Sequence, residues 1–212
     1  MNFTQFTVFI LAAMLAACAT PTNNMRFYSL ANASSSKSLT EKVSSNTPGI
    51  AIEVLPVNVP ERLKRPQLVI TSKNSSQLKI LEQDRWASSF NDELQDAFVS
   101  GLSQQLNAID ISRGGRIANQ PTYRIAIVLQ QFNATPGDQV QATFGWTITR
   151  LNADARSSEV RALSCQANIS KAVAGDIDAV VTGAKEIITE AIQDIAANVN
   201  SLNNGETAKC TS

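Results

Sequence analysis

Val140-Gln141-Ala142-Thr143-Phe144-Gly145-Trp146-Thr147-Ile148-Thr149 alternates apolar and polar residues with a period of two. Successive side chains of a strand point to opposite faces, so Val140, Ala142, Phe144, Trp146 and Ile148 share one face and Gln141, Thr143, Thr147 and Thr149 the other. Such a strand is half-buried, as in antiparallel sheets with one wet face. The pattern repeats on both sides. Upstream, Tyr123, Ile125, Ile127 and Leu129 alternate with Arg124, Ala126, Val128 and Gln130, and Pro136-Gly137-Asp138 marks a turn. Downstream of the polar residues Asn152 to Ser158, the set Arg161, Leu163, Cys165, Ala167 and Ile169 opposes Val160, Ala162, Ser164 and Gln166. Three such segments in a row read as an antiparallel meander.

Two segments have the helical period instead. Trp86, Phe90, Leu94, Ala97, Phe98, Leu102 and Leu106 recur at steps of one to four, with Asn91, Asp92, Gln95 and Gln104 off the stripe. The spacing predicts a helix opened by Trp86, capped by Asp84 or Ser88, and ending near Asn107. Gly101 on the apolar side would allow a close backbone approach. A second stripe, from Ile177 through Val180, Ala184, Ile188, Ala191 and Ile195 to Val199, predicts a helix over 176–199 with Asp176 as its cap.

The earlier chain supplies further strands. Ile50 to Val57 is apolar on both faces and predicts a covered strand. Pro60 blocks ladder continuation after it. Arg65 to Ile70 and Leu78 to Ile80 flank the polar turn Lys73 to Gln77 and read as a hairpin. Phe27-Tyr28-Ser29-Leu30 is an apolar island in polar surroundings, which suggests an edge strand docked on the body. The expected fold class is α+β, a single domain with a mainly antiparallel sheet and two amphipathic helices packed on one face. The domain is expected over 50–200, followed by a polar tail over 201–212.

The N-terminus carries a separate signal. Leu15-Ala16-Ala17-Cys18 closes an apolar run that begins at Phe3 and reads as a bacterial lipobox. In that reading 1–17 is a signal peptide, Cys18 is lipidated, and 18–49 is a lipidated N-terminus and flexible tether rich in Ser, Asn and Thr. An ordinary secretory signal fits by composition as well. A membrane-spanning helix fits less well, because the run from Phe3 to Ala17 is 15 residues and a span needs roughly 20. No Lys or Arg precedes the apolar run.

Composition excludes more than it selects. Lys and Arg number 18, Asp and Glu 18, and no block of one sign stands out, which removes the footprint of a nucleic-acid binder. Histidine is absent, and with it go the commonest general base, the Ser-His and Cys-His nucleophile pairs and most zinc geometries. No catalytic residue, metal site or cofactor is expected. The carboxylate pairs Asp92 and Glu93, and Asp176 and Asp178, fall at helix starts, where they complement the dipole. With Cys18 lipidated, Cys165 and Cys210 remain as a candidate disulfide; the competing reading is two free thiols. Arg65 at a strand start and Trp86 at a helix start are candidate partner contacts. Their alternatives are a solvated or ion-paired Arg65 and a core Trp86.

Several of these segments, in this order, resemble the ABC-type transport auxiliary lipoproteins, the PqiC/YmbA-like group. They are the lipobox ending at Cys18, Phe27 to Leu30, Val54 to Leu63, Arg65 to Val69, Arg85-Trp86-Ala87-Ser88-Ser89-Phe90, Gly101 to Leu106, Gln131-Phe132-Asn133 and Trp146. Cys165 and Cys210 belong to none of these motifs. The resemblance implies a non-catalytic role beside an MCE-domain transport protein, in lipid movement across a Gram-negative envelope. The lipid implied is phospholipid. It also implies an outer-membrane lipid anchor with the domain facing the periplasm, in agreement with Ala19 after the cysteine, and a homo-oligomer such as a ring. Two other functions compete: a periplasmic lipid- or small-molecule-binding module with a pocket between helices and sheet, and an envelope scaffold or assembly lipoprotein.

Overall fold

The computed structural model describes residues 24–31, 49–73, 75–115, 120–151 and 162–210. In chain order its elements are β1 (Arg26–Tyr28), β2 (Ala51–Val54), a 3-10 turn (Glu61–Leu63), β3 (Gln67–Thr71), β4 (Leu78–Trp86), α1 (Phe90–Leu106), β5 (Ile109–Asp110), β6 (Thr122–Thr135), β7 (Gln139–Arg150), β8 (Ala162–Ala172) and α2 (Ile177–Asn203). The strands form a five-stranded sheet in the order β5-β2-β6-β7-β8 and a three-stranded sheet in the order β1-β4-β3.

The meander is where the alternation puts it. β7 pairs antiparallel with both neighbours, so that Ile148 lies between Ile125 and Leu163, and Trp146 between Ile127 and Cys165. Val140, Ala142, Phe144, Trp146 and Ile148 are all buried. The opposite face is wet and held by side-chain hydrogen bonds across strands: Thr147 with Ser164, Gln141 with Asn168, Ser170 with Gln139.

The long pairings are antiparallel, as expected, but the sheets are mixed rather than purely antiparallel. β2 runs parallel to both β5 and β6, and β1 runs parallel to β4. The reason is visible at β2, whose Ala51, Ile52 and Val54 are buried on both faces. A strand covered on both sides is the kind that sits between parallel neighbours. The chain leaves β2, makes the β3-β4 hairpin and α1, and returns in the same direction, as a parallel neighbour requires.

Trp86 does not open α1; it ends β4. Its N–H donates to the Pro66 carbonyl at 2.7 Å, and the next N–H, of Ala87, donates to the Tyr28 carbonyl at 2.7 Å. Backbone groups committed to a sheet on both sides cannot also start a helix. The helical spacing between Trp86 and Phe90 survives as a stacked ring pair, 5.2 Å apart. The residue before α1 is Ser89, in extended conformation, and neither Asp84 nor Ser88 holds that place. The far end agrees with expectation: Asn107 closes the helix in the left-handed region, with φ 48°.

α2 lies over β7 and β8, and α1 packs on α2 and β2. Asp176 caps α2, accepting from the Asp178 N–H. The helices meet at Gly101, where a Cβ would stand 2.5 Å from Ile192 Cδ1. A Cβ there would push the Ile192 side chain aside, in keeping with the place of Gly101 on the apolar stripe. One buried cluster runs from Leu30 through both helices to Leu202.

Candidate functional site

β1 is three residues long and could not hold itself by its ladder alone. Carboxylates from three other elements hold it. Arg26 Nε donates to Asp84 Oδ1 at 2.7 Å, and Arg26 Nη1 stands 3.8 Å from Asp178. The Tyr28 hydroxyl donates to Asp178 Oδ1 at 2.6 Å. Burial, then the bond to Asp178, pushes the Tyr28 phenol above its ordinary range. Beyond the strand, the Leu30 N–H donates to Glu93 Oε2 at 2.8 Å, while the other oxygen of Glu93 accepts from the Ser88 N–H and hydroxyl. Glu93 is buried. A buried carboxylate is tolerable when it accepts several hydrogen bonds, and this one accepts three.

The loop from Leu55 to Pro66 closes over the same junction. Gln95 of α1 accepts from the Val57 N–H at 2.9 Å and donates to the Val54 carbonyl at 3.3 Å. The Arg65 carbonyl accepts from the Phe90 N–H. Arg65 is half-buried, and its Nε has no hydrogen-bond partner. Trp86 is 4% exposed, which leaves its ring no surface for a partner.

Among the described residues this junction offers little room. The enclosed void at this junction, bounded by Leu63, Leu68, Trp86, Phe90, Phe132 and Val180, measures about 10 Å³, the space of one water. An acyl chain cannot enter it. A second concavity, between the β3-β4 and β6-β7 turns, is an open polar cleft lined by Arg62, Lys73, Asn133, Asp138 and Gln139. Among the described residues no cluster of three or more Cys, Asp or Glu could hold a metal, and no helix is long and apolar enough to cross a membrane.

At the other end of the chain, α2 turns at Gly205 and the tail folds back. Buried Asn198 accepts from Trp146 Nε1 at 3.0 Å and donates to the Lys209 carbonyl at 2.9 Å. Cys210 is disulfide-bonded to Cys165, with Cα atoms 5.3 Å apart. Cys18 lies outside the described residues.

The residues that hold β1 were open to only part of a sequence reading. Asp92 and Glu93 are in the first turn of α1, where the dipole argument puts them, but nothing local marks Glu93 as the acceptor for Leu30. Asp178 likewise sits at a helix start and turns to Tyr28, 150 positions away.

A family model described as the ABC-type transport auxiliary lipoprotein component matches residues 28–196. The chain belongs to this family. The match begins at Tyr28 in β1 and ends within α2, so in this auxiliary lipoprotein it takes in both sheets and most of both helices, whereas Asn198 and Cys210 lie beyond it. A crystal structure of an uncharacterized protein superposes with TM-score 0.60 at 17% identity, over 83% of this chain and 99% of that one. Protein XCC0632 from Xanthomonas campestris gives 0.53 at 14% identity, over 73% and 86%. At such identities the likeness is one of fold. No curated protein is a significant match.

Proposed function

We propose that this auxiliary lipoprotein is held in the outer membrane by acyl chains on Cys18, with its domain in the periplasm. There it docks, without catalysis, an MCE-domain protein of an ABC-type system that moves phospholipid. The observation that carries this reading is the family match over residues 28–196, set directly downstream of the lipobox ending at Cys18. Ala19 after the cysteine agrees with outer-membrane delivery. The Cys165–Cys210 bond agrees with an oxidising compartment such as the periplasm. The absence of histidine and the solid junction between helices and sheet favour a docking role over catalysis or lipid carriage in a buried pocket. Arg65, half-buried just ahead of β3, is the candidate contact for the partner, and a homo-oligomer would present several copies of it.

Crosslinking in intact envelopes followed by affinity purification of the full chain tests the reading. Recovery of an MCE-domain protein is expected, reduced several-fold by Arg65→Ala; no recovery after crosslinking overturns it. Cys18→Ser should move the protein from the membrane to the soluble fraction. Unchanged membrane association would sink the anchor.

A further inference from the structure

The two sheets treat their outward faces differently. Register places Phe27 beside Arg85, Arg85 beside Gln67, Ile80 beside Val69 and Leu78 beside Thr71. Paired residues point the same way, and on β3 the buried side chains are Leu68 and Ile70, so Phe27, Val69, Ile80 and Leu78 all face outward. Phe27 is 64% exposed, Leu78 47% and Ile80 42%, and Met25, just ahead of β1, is 53% exposed. Six large apolar side chains are exposed among the described residues, and these are four of them; the others are Ile109 and Val128. Met25 and Phe27 lie at one end of β4 and Leu78 and Ile80 at the other, with the Arg85–Glu82 ion pair between them; apolar side chains rimmed by charge in this way mark a contact surface.

The position of the chain's anchor says what the surface contacts. Six residues, Ala19 to Asn24, separate Cys18 from Met25, so even fully extended they hold Met25 within roughly 25 Å of Cys18. β1 cannot swing away from the body to use that length, because Arg26, Tyr28 and Leu30 are bonded to Asp84, Asp178 and Glu93. A lipid on Cys18 therefore brings this sheet, rather than the wet face of the larger one, to the bilayer. We infer that the outward face of the β1-β4-β3 sheet, led by Phe27 and Ile80, rests in the interfacial layer of the membrane that holds the anchor. The inference rests on the reading of Cys18 as lipidated. Apolar side chains of this kind bind the headgroup–acyl boundary in proportion to the area they bury, and the several acyl chains of a lipidated N-terminal cysteine make that weak contact permanent.

The test uses the full chain, purified from a Gram-negative host and placed in vesicles of phosphatidylethanolamine and phosphatidylglycerol with brominated acyl chains. Three reporters are compared: Phe27→Trp, Ile80→Trp and Val128→Trp. Trp86 and Trp146 are buried and give a constant background. Emission of the first two should shift blue and fall by about twofold against unbrominated vesicles, while that of Val128→Trp, on the wet face, stays unchanged. Intact mass of the same samples reports acylation independently. Acylated protein with all three reporters alike, or with Phe27→Trp alone quenched, overturns the inference and leaves the anchor standing; the latter outcome would reflect only nearness to the tether. Protein that carries no acyl group and does not bind vesicles overturns the anchor itself.

Discussion

The two ends of the chain are fastened to one core by opposite means. β1 is held by ion pairs and hydrogen bonds to three carboxylates, Asp84, Glu93 and Asp178. The C-terminal tail is held by a covalent bond to β8 and one buried amide, Asn198. The difference teaches what each attachment can sense. Ion pairs between partly exposed groups weaken with salt; a disulfide answers only to redox and otherwise stays closed.

Removing the covalent fastening should have the largest effect. Cys210→Ser opens a loop of 45 residues, worth roughly 3–4 kcal/mol in the chain-entropy model. Urea denaturation with and without reductant measures it, and the variant should become insensitive to reductant. Glu93→Ala comes next. It leaves the Leu30 and Ser88 N–H groups without their acceptor, at a cost of about 2–3 kcal/mol, and proteolysis near residue 30 should rise well before global unfolding. An unchanged cleavage rate would mean that Glu93 does not hold β1.

Tyr28→Phe should cost least, no more than about 1 kcal/mol, and it tests the sign of a pH effect. Burial and the bond to Asp178 raise the Tyr28 phenol above its ordinary value. The folded state therefore holds this proton more tightly than the unfolded state does. Its contribution is fully present below the unfolded value of about 10 and is lost as pH rises beyond it. The wild type should lose its advantage over Tyr28→Phe above that pH. A constant difference between the two would remove Tyr28 from the account.

Most of the body could be read from periodicity because each long element buries one face. β7 leaves Gln141 and Thr147 half-buried and buries Phe144 and Ile148, and a two-residue period says so without any partner in view. α1 and α2 are legible for the same reason, down to the crossing at Gly101. The start of α1 is not, because Trp86 and Phe90 obey helical spacing whether or not the backbone between them is helical. What decides is the commitment of the Trp86 N–H to Pro66, a contact 20 residues distant. Parallel pairing of β2 with β6 is hidden likewise, since an apolar strand does not state the direction of its neighbours. The carboxylates around β1 were visible as residues but not as a set. Asp84, Glu93 and Asp178 come from a strand and two helices, and only the fold assembles them.

The clasp on β1 also has a consequence for the order of assembly. Tyr28 meets Asp178 across 150 positions and Arg26 meets Asp84 across 58, whereas β6 and β7 are joined by a three-residue turn. Distant closures cost more chain entropy and come later. The strand nearest the anchor is therefore expected to be the last piece to lock. Pulsed hydrogen exchange during refolding checks this: the Leu30 amide should gain protection after that of Ile127. A lipoprotein built this way would finish its fold at the end by which it is tied, so that slack in the tether is taken up only once the rest of the domain is in place.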